Sequence, residues 1–402
     1  MRLQRRQLIK AAILLFILVI VVYVFYHGPR KILRIPERCT DEQSYEMLQH
    51  LCDLYSRNKV DGNLCPSLCQ KSTLKYKSCL YFGRGKKVLL FELTDDDVIF
   101  KSKHSELDNY YHIVFQVEQD GKTVTQVPDP EMFLDMVYNT MSLAFDVDRE
   151  DDRTEMVKKM WTKEVQSVDA MTVAEKESLW SLLQQDEYLL MKYFDDRHLP
   201  KIFGSCGHFY AMEYVPTGAL LNPSIFSLKE NLDAAPWLNR ARLALGFLDL
   251  IANLDTGYGQ VMHLCDVKND NFGVRHDFSV VAIDVDMAFL EKHMQGTLKQ
   301  PNCTTNEECD FFDCLGNCDF EVKQCLRHRK DNNLQAVCRK IFMARHGLPG
   351  LLRYPPHEIS EEVEKLLTEC VAPSDVKQLA TETEVYKKLY QLLSDSLNKQ
   401  LS

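Results

Sequence analysis

The stretch that most constrains this chain is residues 263–289. It runs His263-Leu-Cys-Asp266-Val-Lys268-Asn-Asp-Asn271-Phe-Gly-Val and, after a polar turn, Val-Val-Ala-Ile-Asp284-Val-Asp286-Met-Ala-Phe289. Two short apolar runs, 271–274 and 280–283, flank the polar residues 275–279. Apolar, β-branched runs around a polar turn predict a hairpin. Asp266, Lys268 and Asn271 lead into its first strand, and Asp284 follows its second.

Phosphoryl transfer asks for this set of groups. It needs a carboxylate to accept a hydroxyl proton, a cation for the phosphoryl oxygens, and oxygen ligands for a divalent metal. Asp266 suits the first role and Lys268 the second. Asn271 and Asp284 would hold metal from the two ends of the hairpin. The bland alternative is an ordinary hairpin in an acidic protein, where scattered Asp and Lys are common. The stretch resembles the catalytic loop and metal-binding motif of protein kinases. Here the catalytic tripeptide reads Leu264-Cys265-Asp266 and the metal tripeptide Asp284-Val285-Asp286, so the His, Arg and Gly of the pattern are replaced.

Upstream segments fit the same resemblance. Residues 80–103 predict three strands, with Gly83-Arg84-Gly85 before the second and Lys101 closing the third. A glycine pair entering a hairpin lets backbone N–H groups approach phosphates. Lys103 lies on the same strand face as Lys101, and without the later motifs both would read as solvated lysines. A helix is expected over 172–195, opened by the Thr172/Glu175 capping box. Its Glu187 is the expected partner of Lys101, though surface glutamates are common on such helices. Residues 201–218 read as strand, turn, strand and a Pro/Gly exit. By resemblance this is the hinge, where Glu213–Val215 would meet adenine through the backbone, with Met212 behind. A helix over 237–254 leads into the catalytic loop.

The amino end is different. Residues 11–26 are continuously apolar and follow Arg2, Arg5, Arg6 and Lys10. At roughly 1.5 Å per residue they span slightly less than an average bilayer core, which suits the thinner ER membrane. The run ends without the small residues of a cleavage site, so a retained anchor is preferred to a cleaved signal peptide. Lys/Arg residues flank the run on both sides, so charge does not orient it. The 14 cysteines do, because they suit an oxidising lumen. Asn302-Cys303-Thr304 is a glycosylation sequon. A cytosolic domain with metal-binding cysteines is the less favoured alternative. Taking eight Lys/Arg and one Glu in residues 1–38 from totals of 48 and 58 leaves 40 basic and 57 acidic side chains, a balance of −17. Nothing there attracts nucleic acid.

Cys39, Cys52, Cys65, Cys69 and Cys79 form an odd-numbered cluster, so one partner lies elsewhere. Their spacing is not that of a zinc site, and a disulfide-stapled cap is expected. A second group of five, Cys303, Cys309, Cys314, Cys318 and Cys325, crowds 303–325. Residues 104–175 are polar and acidic, with a helix over 130–145. Residues 146–157 begin like a calcium loop, but Asp151 and Val157 stand where Gly and Glu belong. A solvated acidic linker is the better reading of that run, residues 164–175 are a weaker candidate still, and no calcium is expected at either place. Packing helices are expected over 334–346, 360–370 and 381–397.

Taken together, the whole chain resembles the divergent protein kinase domain family, type 1, cysteine-rich type II membrane proteins of the endoplasmic reticulum. The resemblance implies an α+β, two-lobed protein-kinase-like fold with an N-terminal transmembrane helix and disulfide-rich segments. The expected organisation is a cytosolic tail (1–10), an anchor (11–26) and a lumenal stem with cysteine-rich cap (27–79). An N-lobe (80–218) with an acidic insertion (104–175) and a C-lobe (219–402) with its cysteine-rich segment follow. The resemblance implies ATP with Mg or Mn and a lumenal protein or glycan acceptor. Two functions stay open. The complete polar set favours a phosphotransferase. The missing glycines and the absent Ala-Pro-Glu triplet favour a pseudokinase acting as a binding or scaffolding module.

Overall fold

The computed structural model describes residues 39–83, 85–103, 113, 115–119, 122–146, 152–217, 234–343, 350–372 and 379–401. The apolar run 11–26 lies outside them. Among the described residues no helix is long and apolar enough to cross a membrane.

The chain enters through α1 (Asp41–Ser56), whose first turn is capped by the Thr40 hydroxyl accepting from the Gln43 N–H. A short α2 (Cys65–Cys69) follows. Then come β1 (Leu74–Gly83), β2 (Lys86–Leu93) and β3 (Asp96–Ser102). β1 thus starts inside the segment expected to be a separate cap. Residues 41–65 pack as a layer on this sheet. Met47, Leu48, Leu51 and Leu64 share a core with Leu89, Phe91, Phe100 and Phe209. The turn at Asp61-Gly62-Asn63 docks on the sheet edge, where the Leu64 N–H donates to the Ser205 carbonyl at 3.0 Å. A Cβ at Gly62 would lie 2.1 Å from that carbonyl oxygen, so only glycine allows the approach.

Among its described residues the acidic insertion contains regular structure. It holds a hairpin, β4 (Phe115–Gln119) and β5 (Lys122–Gln126), then α3 (Pro130–Phe145) and α4 (Arg153–Met160). Phe133, Val137 and Met141 repeat at helical spacing and are fully buried with Val157 and Met160 in the main core. The acidic residues serve the ends and the surface. Asp129 and Asp152 cap the two helices, and Arg153 pairs with Glu131 and Asp135. Of the calcium-like loop, 147–151 lie outside the described residues. Asp146 pairs with Lys292.

Residues 172–195 form two helices rather than one, α5 (Val173–Leu183) and α6 (Asp186–Phe194). The break falls at Gln184–Gln185. The Gln185 amide donates to the His208 carbonyl at 2.7 Å and accepts from the Lys103 N–H at 2.7 Å. A sheet contact therefore outweighs helix continuity, and α6 starts afresh with Glu187 facing the sheet. β6 (Ile202–Cys206) and β7 (Phe209–Glu213) complete an antiparallel sheet of order β1-β2-β3-β7-β6.

The second half is mainly helical. α7 (Ala234–Thr256) is its central helix. β8 (Met262–Leu264), β9 (Phe272–Val274), β10 (Val280–Ala282) and β11 (Ala288–Leu290) then pair as β9–β10 and β8–β11. α8 (Glu291–Leu298), α9 (Asn333–Val337), α10 (Ser360–Val371) and α11 (Glu384–Leu401) follow. The helix expected over 334–346 widens into a π turn at Cys338–Phe342 and stops. The Leu351 and Leu352 N–H groups donate to the Ile341 and Phe342 carbonyls, taking acceptors that a longer helix would use.

All 14 cysteines are paired, in seven disulfides. The odd cysteine of each cluster reaches across the chain, Cys65 to Cys206 and Cys314 to Cys265. That leaves no thiolate for zinc at Cys314-x₃-Cys318.

Candidate active site between the sheet and the β9–β10 hairpin

The β9–β10 hairpin pairs Phe272 with Ala282 and Val274 with Val280, so the residues before and after it lie side by side. The Ile283 N–H donates to the Asn271 carbonyl at 2.9 Å, which closes the open end. Asp266, Asn271 and Asp284 line one small cavity with Leu264, Phe272, Ala282 and Met287. Asn271 is buried, and its amide nitrogen donates to the Asp266 carbonyl (2.9 Å) and carboxylate (3.0 Å). The amide oxygen is then its only side-chain acceptor for a cation. Lys268 reaches the same Asp266 carboxylate at 2.7 Å.

Position 265, where the kinase pattern has Arg, holds a disulfide. Cys265 bonds Cys314, the Asp313 N–H donates to the Cys265 carbonyl at 2.9 Å, and the Val267 N–H donates to the Asp313 carboxylate at 2.8 Å. The cysteine-rich segment therefore braces the loop on both sides of Asp266. Behind it, His263 meets Glu291 and Arg329. A hydrogen bond from His263 pulls the Glu291 carboxyl down to about 2. Burial holds His263 itself below its ordinary value, which keeps the ring neutral.

The sheet supplies the opposite wall. Lys101 on β3 is buried and pairs with Glu187 of α6, which also accepts from the Tyr210 hydroxyl at 3.1 Å. Burial pushes the Glu187 carboxyl above its ordinary value, against the pull of Lys101 and Lys86. Lys103, two residues on, reaches Asp286 at 3.4 Å. Lys86, at the start of β2, went unnoticed in the sequence. Its ammonium lies 2.8 Å from both Asp284 carboxylate oxygens and 3.0 Å from Asp286. The signal available was its place directly after the Gly83/Gly85 pair, whose turn needs Gly85 at φ +77°. Burial opposes the charge on Lys86, but Glu187, Asp284 and Asp286 outweigh it and raise its pKa. Burial likewise opposes ionisation of Asp284, yet Lys101 and Lys86 leave its pKa below the ordinary value.

One oxygen from each of Glu187, Asp284 and Asp286 falls within 4.8 Å of the others. Carboxylates are the ligands that hard cations such as Mg²⁺ and Mn²⁺ take, so the donor set fits such a metal. Glu213 of the expected hinge is engaged elsewhere. Its N–H donates to the Lys201 carbonyl at 2.8 Å, and its carboxylate takes a two-point contact from Arg275 at 2.8 and 2.6 Å. Val215 is buried against Gly273, where a Cβ would come within 2.6 Å of it. Asn302 of the sequon is exposed.

Two family models match, one described as "N-term cysteine-rich ER, FAM69" over residues 1–162, the other as "Protein-kinase domain of FAM69" over residues 179–373. The chain belongs to the FAM69 family. It carries a kinase-like domain, and its family is described as one of the endoplasmic reticulum. The site straddles the two matched regions. Gly83, Gly85, Lys86 and Lys101 fall in the cysteine-rich one, Glu187, Asp266, Asn271 and Asp284 in the kinase one. In three dimensions Lys101 and Glu187 meet, so the cysteine-rich region supplies part of the kinase-like site.

Proposed function

We infer that this chain is a phosphotransferase of the ER lumen, using ATP with Mg or Mn to modify a protein or glycan acceptor of the secretory pathway. The observation that carries the reading is the convergence of Lys101 from the sheet and its partner Glu187 from α6 with Asp284, which shares a cavity with Asp266 and Asn271. In it, Asp266 accepts the acceptor hydroxyl proton and Lys268 faces the transferring phosphoryl oxygens. Lys101, held by Glu187, positions the nucleotide phosphates beneath the Gly83/Gly85 turn. Val215 meets the base through its backbone, beside Glu213. Asp284 and Asn271 would hold the metal, whose positive charge would offset that of the phosphates. Residues 11–26 anchor the chain with residues 1–10 cytosolic, and Asn302 carries a glycan. The calcium-loop resemblance lacks its ligands, so no calcium is assigned.

One observation favours a second reading, a pseudokinase that binds without turnover. Lys86 lies on the carboxylates a metal would need. The test is a thermal shift on the full chain with ATP and Mg²⁺ or Mn²⁺, beside Asp284→Ala. Ligand at a hundredfold excess over Kd stabilises the native state by about 2.7 kcal/mol. A metal-dependent shift that Asp284→Ala loses, with phosphate transfer that Asp266→Ala abolishes, supports the first reading. A shift without transfer supports the second, and no shift with either metal refutes nucleotide binding in both.

A further inference from the structure

We propose that Lys86 is a built-in counter-cation of the Glu187/Asp284/Asp286 cluster, so that its ammonium and a divalent metal exclude one another and metal enters only when a nucleotide polyphosphate draws Lys86 away. The proposal rests on the nucleotide-site reading for its second half and on the geometry alone for its first.

An ammonium has three N–H donors and no acceptor. The three of Lys86 face three oxygens, at 2.8, 2.8 and 3.0 Å, and Glu187 stands at 4.0 Å. Both oxygens of Asp284 are taken. The Lys86 side chain is 13% exposed, so water screens these contacts little. A divalent cation needs the same oxygens at roughly 2.0–2.6 Å, and it cannot share them with an ammonium of like charge. Charge arithmetic points the same way. Lys86, Lys101 and Lys103 face Glu187, Asp284 and Asp286, a balanced set of three and three. A bare divalent ion would leave this half-buried site two charges positive.

A polyphosphate changes that balance. It offers Lys86 new oxygen acceptors while the carboxylates turn to the metal. Lys86 is placed for such an exchange, because it opens β2 directly after the glycine turn that would cover the phosphates. Lys101 stays behind, buried on Glu187.

The test uses the full chain with Mn²⁺ alone as the probe, read by calorimetry and by the effect of bound Mn²⁺ on water-proton relaxation. Wild type and Lys86→Arg should bind no Mn²⁺ in the low-millimolar range. Lys86→Gln should melt lower, because Asp284 and Asp286 lose their hydrogen-bonded cation, and should recover on adding Mn²⁺. Its affinity should exceed that of wild type by about 5–150-fold, the usual size of coupling between two ligands. Adding a nonhydrolysable ATP analogue should let wild type take up Mn²⁺. Equal Mn²⁺ binding by wild type and Lys86→Gln overturns the proposal, as does Lys86→Gln that is folded yet blind to Mn²⁺. Should the analogue fail to bind at all, the nucleotide reading falls, while the two Mn²⁺-only results still decide whether Lys86 excludes the metal.

Discussion

Removing the Cys65–Cys206 disulfide by the double change Cys65→Ala and Cys206→Ala should be the most costly loss among the cap's crosslinks. This bond closes 141 residues, whereas Cys52–Cys69 closes 17. A crosslink mainly restricts the unfolded chain, by an amount that grows with the logarithm of the loop. The two loops correspond to about 5 and about 3 kcal/mol, a difference of about 2 kcal/mol. Packing acts in the same direction. Cys65 and Cys206 are fully buried beside Leu89, Phe91 and Phe100, while Cys52 and Cys69 are half-buried. Hydrogen bonds from Leu64 to Ser205, Gly207 to Asp61 and Ser205 to Asn63 remain, so the native docking survives in the variant. The assay is guanidinium unfolding of both double variants without reductant, comparing midpoints and slopes with wild type. Equal losses, or a larger loss on removing Cys52–Cys69, would refute the account of the cap as a layer tethered across the lobe.

Glu187→Gln should destabilise the protein by about 3–5 kcal/mol, because it strands the Lys101 ammonium in the core. Chemical denaturation measures this, and an unchanged midpoint would mean that Lys101 has another anion. Acidification should lower the melting temperature in two stages. His263, depressed from its ordinary 6.5, favours the native state above that pH and loses this contribution as pH falls below it. Glu291, at about 2, loses its contribution between the ordinary carboxylate range and about 2. His263→Asn should flatten the first stage in a melting series from pH 8 to pH 3, and an unchanged slope would refute the assignment.

The sequence determined what neighbouring residues decide among themselves. The hairpin around 275–279, the helix Pro130–Phe145 and the strand pair before the hinge follow from periodicity and turn residues, which act over a few positions. The parity of the first cysteine cluster showed that a partner lay outside it. Tertiary structure alone decided which partner, because Cys206 and Cys265 are chosen by proximity in space. It also split residues 172–195, since the Gln185 amide serves strands far along the chain. It turned Phe133, Val137 and Met141 into the main core, since charge counted along the chain does not record which helix face turns inward. And it brought Lys86 to Asp284, 198 residues away, a contact that depends on the sheet meeting the hairpin and that neither local pattern specifies.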